Sequence, residues 1–491
     1  MNQSIIKYVL GKVLAIIGTL MIIPVITGII YREDEVFAYI IVGAISYLLG
    51  HFSTRKKPKN TMFYLKEGCV VTSLSWILIS VVGAIPFMLT GEIPNFVDAW
   101  FETASGFTTT GASILTDVEA MSHTSLMWRS FTHWIGGMGV LVFLLAVIPM
   151  SGGSNINLMR AESPGPSVGK LVPKIRSSAA ILYKIYFGMT VVQLVLLIIA
   201  RMPVFDAFCI TFGSAGTGGF GVRNDSCGSY TALQQWITGI FCVLFGVNFN
   251  FYYYILARDP KKSMKMEEVK AYFCIIGASV VIIFFNIMGM FNNAADAFRA
   301  AFFQVGSIIT TTGYSTVDFN VWPTLSKAIL VLLMFIGACA GSTGGGFKVS
   351  RVIIASKTVL KEANSYIHPK SVKKIKMDGE VIEHDVIRSV NVYMITYMAI
   401  FIISVILVSI EGKDLVTSFT SVAATYNNIG PGLAKVGPAA NYDCLSYFSK
   451  IVLTLDMIAG RLELFPLIIL FHPAVLKDVF FKKKCSQKTV S

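Results

Sequence analysis

Charge is what this 491-residue sequence has least of: Asp, Glu, Lys and Arg make up 14% of it, against 54% hydrophobic residues. A soluble domain usually carries about 25% charged residues, so a soluble enzyme and a disordered scaffold are both excluded. The 8 cysteines are scattered, with no Cys-x-x-Cys pair and no metal-ligand spacing. Cys227 and Cys444 fall in loops read below as outer, which leaves a disulfide between them open. No nucleophile–base arrangement or metal-binding helix is present. The first apolar segment lacks the small-residue cleavage site of a secretory signal and is too long for its apolar core, so it is expected to stay as a helix. Gly216-x-Gly218-x-x-Gly221 fits a dinucleotide fingerprint but neither follows a strand nor opens a βαβ unit. Gly341 to Lys348 approaches a phosphate-binding loop, yet Phe347 stands where its lysine is required. No organic cofactor is expected in this chain.

What the sequence has instead is long apolar runs, near 5–30, 36–53, 68–89, 124–149, 178–200, 230–257, 271–291, 324–347, 386–410 and 446–471. Several exceed the roughly 18 residues that carry a helix across a bilayer. Ten crossings put both termini on one side, and the basic residues choose which. Segments 54–67, 150–177, 258–270, 348–385 and 472–491 hold 27 Lys and Arg, whereas the alternate loops hold seven. Both termini are therefore expected to be cytoplasmic. This placement also accounts for the net charge of +13, which in a soluble protein would suggest nucleic acid; no nucleic-acid partner is expected. The outer loops carry fifteen Asp and Glu, a balance that raises cation concentration at an outer mouth.

Four outer loops share a plan. Each opens with an acidic residue, runs apolar for about three turns, and ends in small and hydroxyl residues around a glycine. They start at Asp98, Asp206, Asp296 and Asp414, and end at Thr108-Thr109-Thr110-Gly111, Ala215-Gly216-Thr217-Gly218-Gly219, Thr310-Thr311-Thr312-Gly313 and Asn427-Asn428-Ile429-Gly430. Aligned on Gly111, Gly218, Gly313 and Gly430, the loops recur at intervals of 107, 95 and 117 residues, each between two spanning segments. The chain thus reads as four copies of a helix–half-helix–loop–helix unit.

Non-helical backbone survives within a membrane only if it is buried in protein or lines a watery path. Glycine permits φ > 0, so successive carbonyls can point one way. Four such segments around an axis form rings of oxygens that replace a cation's hydration shell. The preceding half-helices add their negative ends. The loops therefore predict a cation selectivity filter, with Thr109, Thr110, Gly111, Thr217, Gly218, Thr311, Thr312, Gly313, Asn428, Ile429 and Gly430 binding the ion.

These loops, with Trp128-Arg129-Ser130, Gly136-Gly137-Met138-Gly139, the run Gly341-Ser342-Thr343-Gly344-Gly345-Gly346-Phe347-Lys348 and Gly460-Arg461-Leu462-Glu463, resemble the Trk/Ktr/HKT superfamily of potassium transporters over nearly the whole chain. The extra N-terminal helix pair is similar to the TrkH branch rather than the shorter KtrB branch. The resemblance implies an all-α integral membrane protein of the cytoplasmic (inner) membrane. It would have ten transmembrane helices, four re-entrant pore loops and fourfold pseudosymmetry. Its parts would be an additional helix pair (1–53) and pore repeats over 54–149, 150–257, 258–360 and 361–491. It also implies K⁺ as the bound substrate ion, a homodimer with one pore per protomer, surrounding membrane lipids, and a TrkA-type cytoplasmic ring carrying the regulatory nucleotide. In plant relatives serine at the first filter glycine goes with sodium transport, so Gly111 favours potassium.

Residues 341–346 interrupt the eighth span with Gly, Ser and Thr alone, too polar and flexible to continue a helix at that depth. In the family this segment is a mobile obstruction beneath the filter, so Gly341, Ser342, Thr343, Gly344, Gly345 and Gly346 are expected to form a gate. Arg461 lies within the last span, with Asp456 and Glu463 nearby. A structural ion pair is one reading of a charge at this depth; the resemblance instead places Arg461 in the pore against the gate. His133 reads as a packed interior histidine. Coupling of potassium to H⁺ or Na⁺, and a sodium-permeable relative, stay open. A rocking transporter of another solute requires two inverted halves, and an intramembrane enzyme a paired catalytic set, neither of which is seen.

Overall fold

Close backbone approach shapes the first helices of the computed structural model, which describes residues 1–56, 58, 64–139, 175–370 and 373–480. Helices α1 (Gln3–Leu20) and α2 (Ile22–Tyr31) form one apolar span and α3 (Val36–Thr54) the next. Gly18 of α1 lies against the Gly43 carbonyl of α3, and Gly50 against that of Gly11, so a side chain at Gly18 or Gly50 would strike backbone. Small residues at such contacts let helices in a bilayer pack tightly. Glu33, in the loop between α2 and α3, accepts the N–H groups of His123 and Thr124 at 2.8 and 2.9 Å. These are orphan donors of the helix that begins at His123, so Glu33 fastens the N-terminal pair to the first repeat.

The remaining helices follow the expected order. The first repeat has α4 (Leu65–Leu89), the half-helix α5 (Phe96–Phe107) and α6 (His123–Gly137). The second has α7 (Ile175–Ile199), the half-helix α8 (Val204–Gly216), and α9 (Ala232–Phe245) with α10 (Phe249–Leu256). A short α11 (Pro260–Lys265) leads to α12 (Glu267–Ile287), the half-helix α13 (Ala294–Ile309) and α14 (Thr324–Ile336). Then come α15 (Val349–Ile367), α16 (His384–Ser409), the half-helix α17 (Leu415–Tyr426), α18 (Tyr447–Arg461), α19 (Phe465–Phe471) and α20 (Pro473–Phe480). Among the described residues six helices are long and apolar enough to cross a membrane, and a seventh crossing results if the pair α9–α10, bent by 90°, is one span.

Three of the other expected spans are broken helices. The 230–257 span turns sharply at Gly246–Asn248, the 324–347 span stops at Ile336, and the 446–471 span breaks after Arg461. Of the 124–149 span, α6 covers the first part; residues 140–149 and the basic stretch 150–174 lie outside the described residues. One small departure from all-α occurs where β1 (Lys376–Met377) and β2 (Glu380–Val381) form a hairpin. Asp378 and Gly379, at φ 55° and 90°, make its two-residue turn, the arrangement that an Asp-Gly pair favours.

Exposure is inverted relative to a soluble protein. Ile395, Ile403 and Ile406 of α16 are 56–71% exposed, whereas Thr109, Thr110, Thr311, Thr312, Asn427 and Asn428 are wholly buried. An apolar outside around a polar centre is what lipid as solvent requires. This is a multi-span membrane protein.

Candidate ion pathway

The four half-helices end alike, and three of them begin alike, α8 starting after Pro203 with no side-chain cap. Asn95, Asn293 and Asp414 cap α5, α13 and α17, accepting backbone N–H groups at 2.8, 3.1 and 2.9 Å. At the other end each chain turns left-handed once and then doubles back. Thr109, Thr217, Thr311 and Asn428 have φ of 54–58°. The next residue donates to the carbonyl five positions earlier: Thr110 to Ser105, Gly218 to Gly213, Thr312 to Ser307 and Ile429 to Ala424, all at 2.8–2.9 Å. This is the closing pattern of a helix C-terminus that normally uses glycine at its left-handed position. A β-branched residue there is strained by about 1–3 kcal/mol. Three threonines carry that strain at equivalent places.

One residue later φ is positive again, at Gly111 (78°), Gly219 (79°), Gly313 (86°) and Gly430 (97°). The second loop is therefore shifted by one from the alignment on Gly218: Gly219 is the equivalent of the other three glycines, and Gly218 matches Thr110, Thr312 and Ile429. Two adjacent glycines hid this register. Aligning on the residue at the helix end, Thr or Asn, would have revealed it.

The loops close into a ring. A β-carbon on Gly111 would fall on the Gly218 carbonyl oxygen, one on Gly219 on that of Thr312, one on Gly313 on that of Ile429, and one on Gly430 within 2.7 Å of that of Thr110. Each loop thus abuts the next, and the fourth returns to the first, where Asn428 Nδ2 also donates to Thr110 Oγ1 at 2.9 Å. Among the described residues the carbonyls of Thr109, Thr110, Gly218, Thr312 and Ile429 accept no backbone hydrogen bond. Buried carbonyls are nearly always paired, so a ring of free ones offers sites to a cation. All four loops line one open cavity with Ser113, Arg223, Ser315 and Tyr442.

Side chains brace the ring from behind. His133 Nε2 accepts from Phe220 N at 3.2 Å, so its proton sits on Nδ1, which donates to the Gly106 carbonyl at 2.8 Å. It is the packed histidine expected from sequence. Tyr442 donates to the Gly430 carbonyl at 2.7 Å and Tyr314 to that of Ile210 at 3.2 Å. Buried Arg129 pairs with Glu102 at 2.7 Å and stacks over Phe220 at 4.0 Å. The acidic residues expected to gather cations are partly neutralised this way: Asp98 pairs with Lys450, Asp206 with Arg223 and Asp296 with Arg299. Outside the spans, burial acts against the Arg223 charge, but Tyr230 and Asp206 beside it outweigh this and raise its pKa. Cys227 is buried and Cys444 exposed, both as free thiols.

Beneath the ring lies the glycine segment. Its non-helical stretch runs over 337–348 and is longer than the predicted 341–346. Gly345 N donates to Thr311 Oγ1 at 2.6 Å, and a β-carbon on Gly344 would meet the Thr310 carbonyl at 2.8 Å. Arg461 donates to the Thr343 carbonyl at 2.9 Å, the Gly137 carbonyl at 2.7 Å and Thr109 Oγ1 at 3.4 Å. The carboxylates near it in sequence serve elsewhere: Glu463 pairs with Arg351, and Asp456 accepts from Ser404 at 2.7 Å. Lys348 folds back so that its amine donates to the Gly344 carbonyl. The structure thus brings Gly341, Ser342, Thr343, Gly344, Gly345, Gly346 and Arg461 together under the four loops.

Residues 35–483 match the TrkH family of cation transport proteins. The chain belongs to that family. TrkH-family relatives match over almost the full length. The Trk system potassium uptake protein TrkH of Salmonella typhimurium is 33% identical, over 97% of this chain and 100% of its own. That of Escherichia coli is 32% identical over the same shares. The crystal structure of the potassium transporter TrkH from Vibrio parahaemolyticus superposes with a TM-score of 0.87 at 29% identity, covering 97% of this chain and all of the other. The family is one of transporters, not of enzymes.

Proposed function

We propose that this TrkH-family chain carries potassium through the cytoplasmic membrane along the axis of the four loops. The observation that carries this reading is the closed ring of glycine–carbonyl contacts, whose buried carbonyls lack backbone partners. Potassium is the cargo, held by main-chain oxygens of residues 109–111, 217–219, 311–313 and 428–430. Counting α6, α14 with its loop, and the broken α18–α19 as crossings alongside the six long helices and the bent pair gives ten. The excess of basic residues on the faces near 54–67, 258–270 and 348–385 supports cytoplasmic termini. The 337–348 loop, pinned by Arg461, is the gate.

Flux of K⁺ and Na⁺ from the purified protein in liposomes tests this. Potassium flux well above sodium flux is expected, and its absence overturns the reading. Acceleration by a pH or Na⁺ gradient at fixed membrane potential identifies a symporter in place of a passive pore.

We propose as well, from the family resemblance, a homodimer and a TrkA-type ring that brings the nucleotide. The exposed lysines 370, 373, 374 and 376 suit such a ring, because they follow the gate beyond α15 and the last three share a groove with Lys357 and Lys361. Reversing the four to Glu is expected to weaken pull-down of the ring and its nucleotide-dependent stimulation while leaving ion preference unchanged. Binding at wild-type strength assigns these lysines to anionic lipid, which attracts each by about 1 kcal/mol.

A further inference from the structure

Three helix N-termini meet at one buried carboxylate. Glu268, 4% exposed, sits in the first turn of α12. Its Oε1 accepts from Ala340 N at 2.6 Å and from Ser350 N at 3.1 Å. Its Oε2 accepts from Asn248 Nδ2 at 3.3 Å. Ala340 lies near the start of the gate loop, Ser350 lies in the first turn of α15 just after it, and Asn248 caps α10 at the 90° bend of the sixth span. Backbone bonds tighten the same junction: Cys339 N to the Gly246 carbonyl at 3.1 Å, Phe249 N to that of Gly341 at 3.0 Å, and Val349 N to that of Ala338 at 3.0 Å.

A negative group is favoured where positive helix ends converge. Donors arriving from three segments need both carboxylate oxygens, which neither an amide nor a hydroxyl offers. Arg461 and Lys348 hold the middle of the loop from the pore side; Glu268 holds its two roots from behind.

We propose that Glu268 is a positioning residue that clamps both roots of the 337–348 loop and sets how often the pore opens. The proposal rests on the gate reading above. It also supplies a route from the surface. The neighbouring Glu267 takes Asp378 of the hairpin turn on its N–H at 2.7 Å, and its carboxylate pairs with Lys357, whose amine also reaches the Lys376 carbonyl at 2.7 Å. A force on the hairpin therefore arrives one residue from the clamp.

The test compares potassium flux and the K⁺/Na⁺ ratio in liposomes for the full-length wild type, Glu268→Ala, Glu268→Gln, a chain lacking residues 342–345, and that deletion combined with Glu268→Ala. The alanine variant should raise flux about three- to tenfold, the loss expected from one or two hydrogen bonds holding a closed state, at an unchanged ratio. Glutamine, which keeps the oxygen shared by Ala340 and Ser350, should fall between it and the wild type. On the deletion background alanine should add nothing, because the element it acts through is gone; a merely structural role would lower flux on both backgrounds. If alanine leaves flux unchanged or reduces it while the deletion raises it, the clamp is overturned and the gate stands. If the deletion itself does not raise flux, the gate reading falls and the clamp with it. Should the alanine variant fail to insert, the glutamine variant carries the same comparison.

Discussion

Gly111→Ser is expected to lower the potassium-to-sodium permeability ratio by about tenfold while the protein keeps its melting temperature within a few degrees. Two costs coincide at this position. A residue with a β-carbon is held at φ 78°, which costs about 1–2 kcal/mol outside glycine. That β-carbon also lands on the Gly218 carbonyl oxygen, so one of the ring oxygens must rotate or retreat. A factor of ten in an equilibrium takes only about 1.4 kcal/mol, less than these terms together. The effect should be graded around the ring. Gly430→Ser, whose nearest neighbour is the Thr110 oxygen at 2.7 Å, should disturb selectivity less than Gly111→Ser. Relative K⁺ and Na⁺ fluxes through the purified variants decide the matter; equal ratios in all of them would remove the ring from ion selection.

Shortening the gate should do the opposite, raising throughput without altering choice. Removal of residues 342–345 takes away the Gly345 N–H that reaches Thr311 Oγ1 and the Thr343 carbonyl that Arg461 holds. Potassium flux is expected to rise about tenfold or more, since several hydrogen bonds of about 1 kcal/mol each hold the closed form. Arg461→Ala should reproduce part of the increase. Stopped-flow flux measurements at matched protein density are the check, and wild-type flux in the deletion variant would assign the segment a packing role.

The four half-helices were legible because each repeats an acidic start, three apolar turns and a small-residue end; local chemistry alone writes that pattern. The glycine loop was legible as a break because six consecutive Gly, Ser and Thr residues do not continue a helix within a span. Its true limits were not, since Gly337, Phe347 and Lys348 flank it with residues that an apolar segment also tolerates. The bend after Phe245 escaped for a related reason. Val247 and Phe249 are as apolar as the helices beside them, and hydropathy has no sense of direction. The Asn248 cap is local, but the other groups that hold the turn are distant: the Cys339 N–H on the Gly246 carbonyl, and Glu268, 20 residues on. The register of the second loop was lost because Gly218 and Gly219 are adjacent and identical in the sequence. Only the helix ending at Thr217 distinguishes them.

The ring's closure also bears on how such a chain is made. Its last contact joins Asn428 to Thr110 across 318 residues, so the first loop waits through nearly the whole of synthesis for its neighbour. Until the fourth repeat is in place, the Thr110 oxygens and Gly313 have no facing loop, and the ring is open on one side. A ribosome that stalls after the third repeat therefore releases a polypeptide without a continuous watery path. On the function proposed above, the order in which the walls arrive would itself keep unfinished copies from conducting.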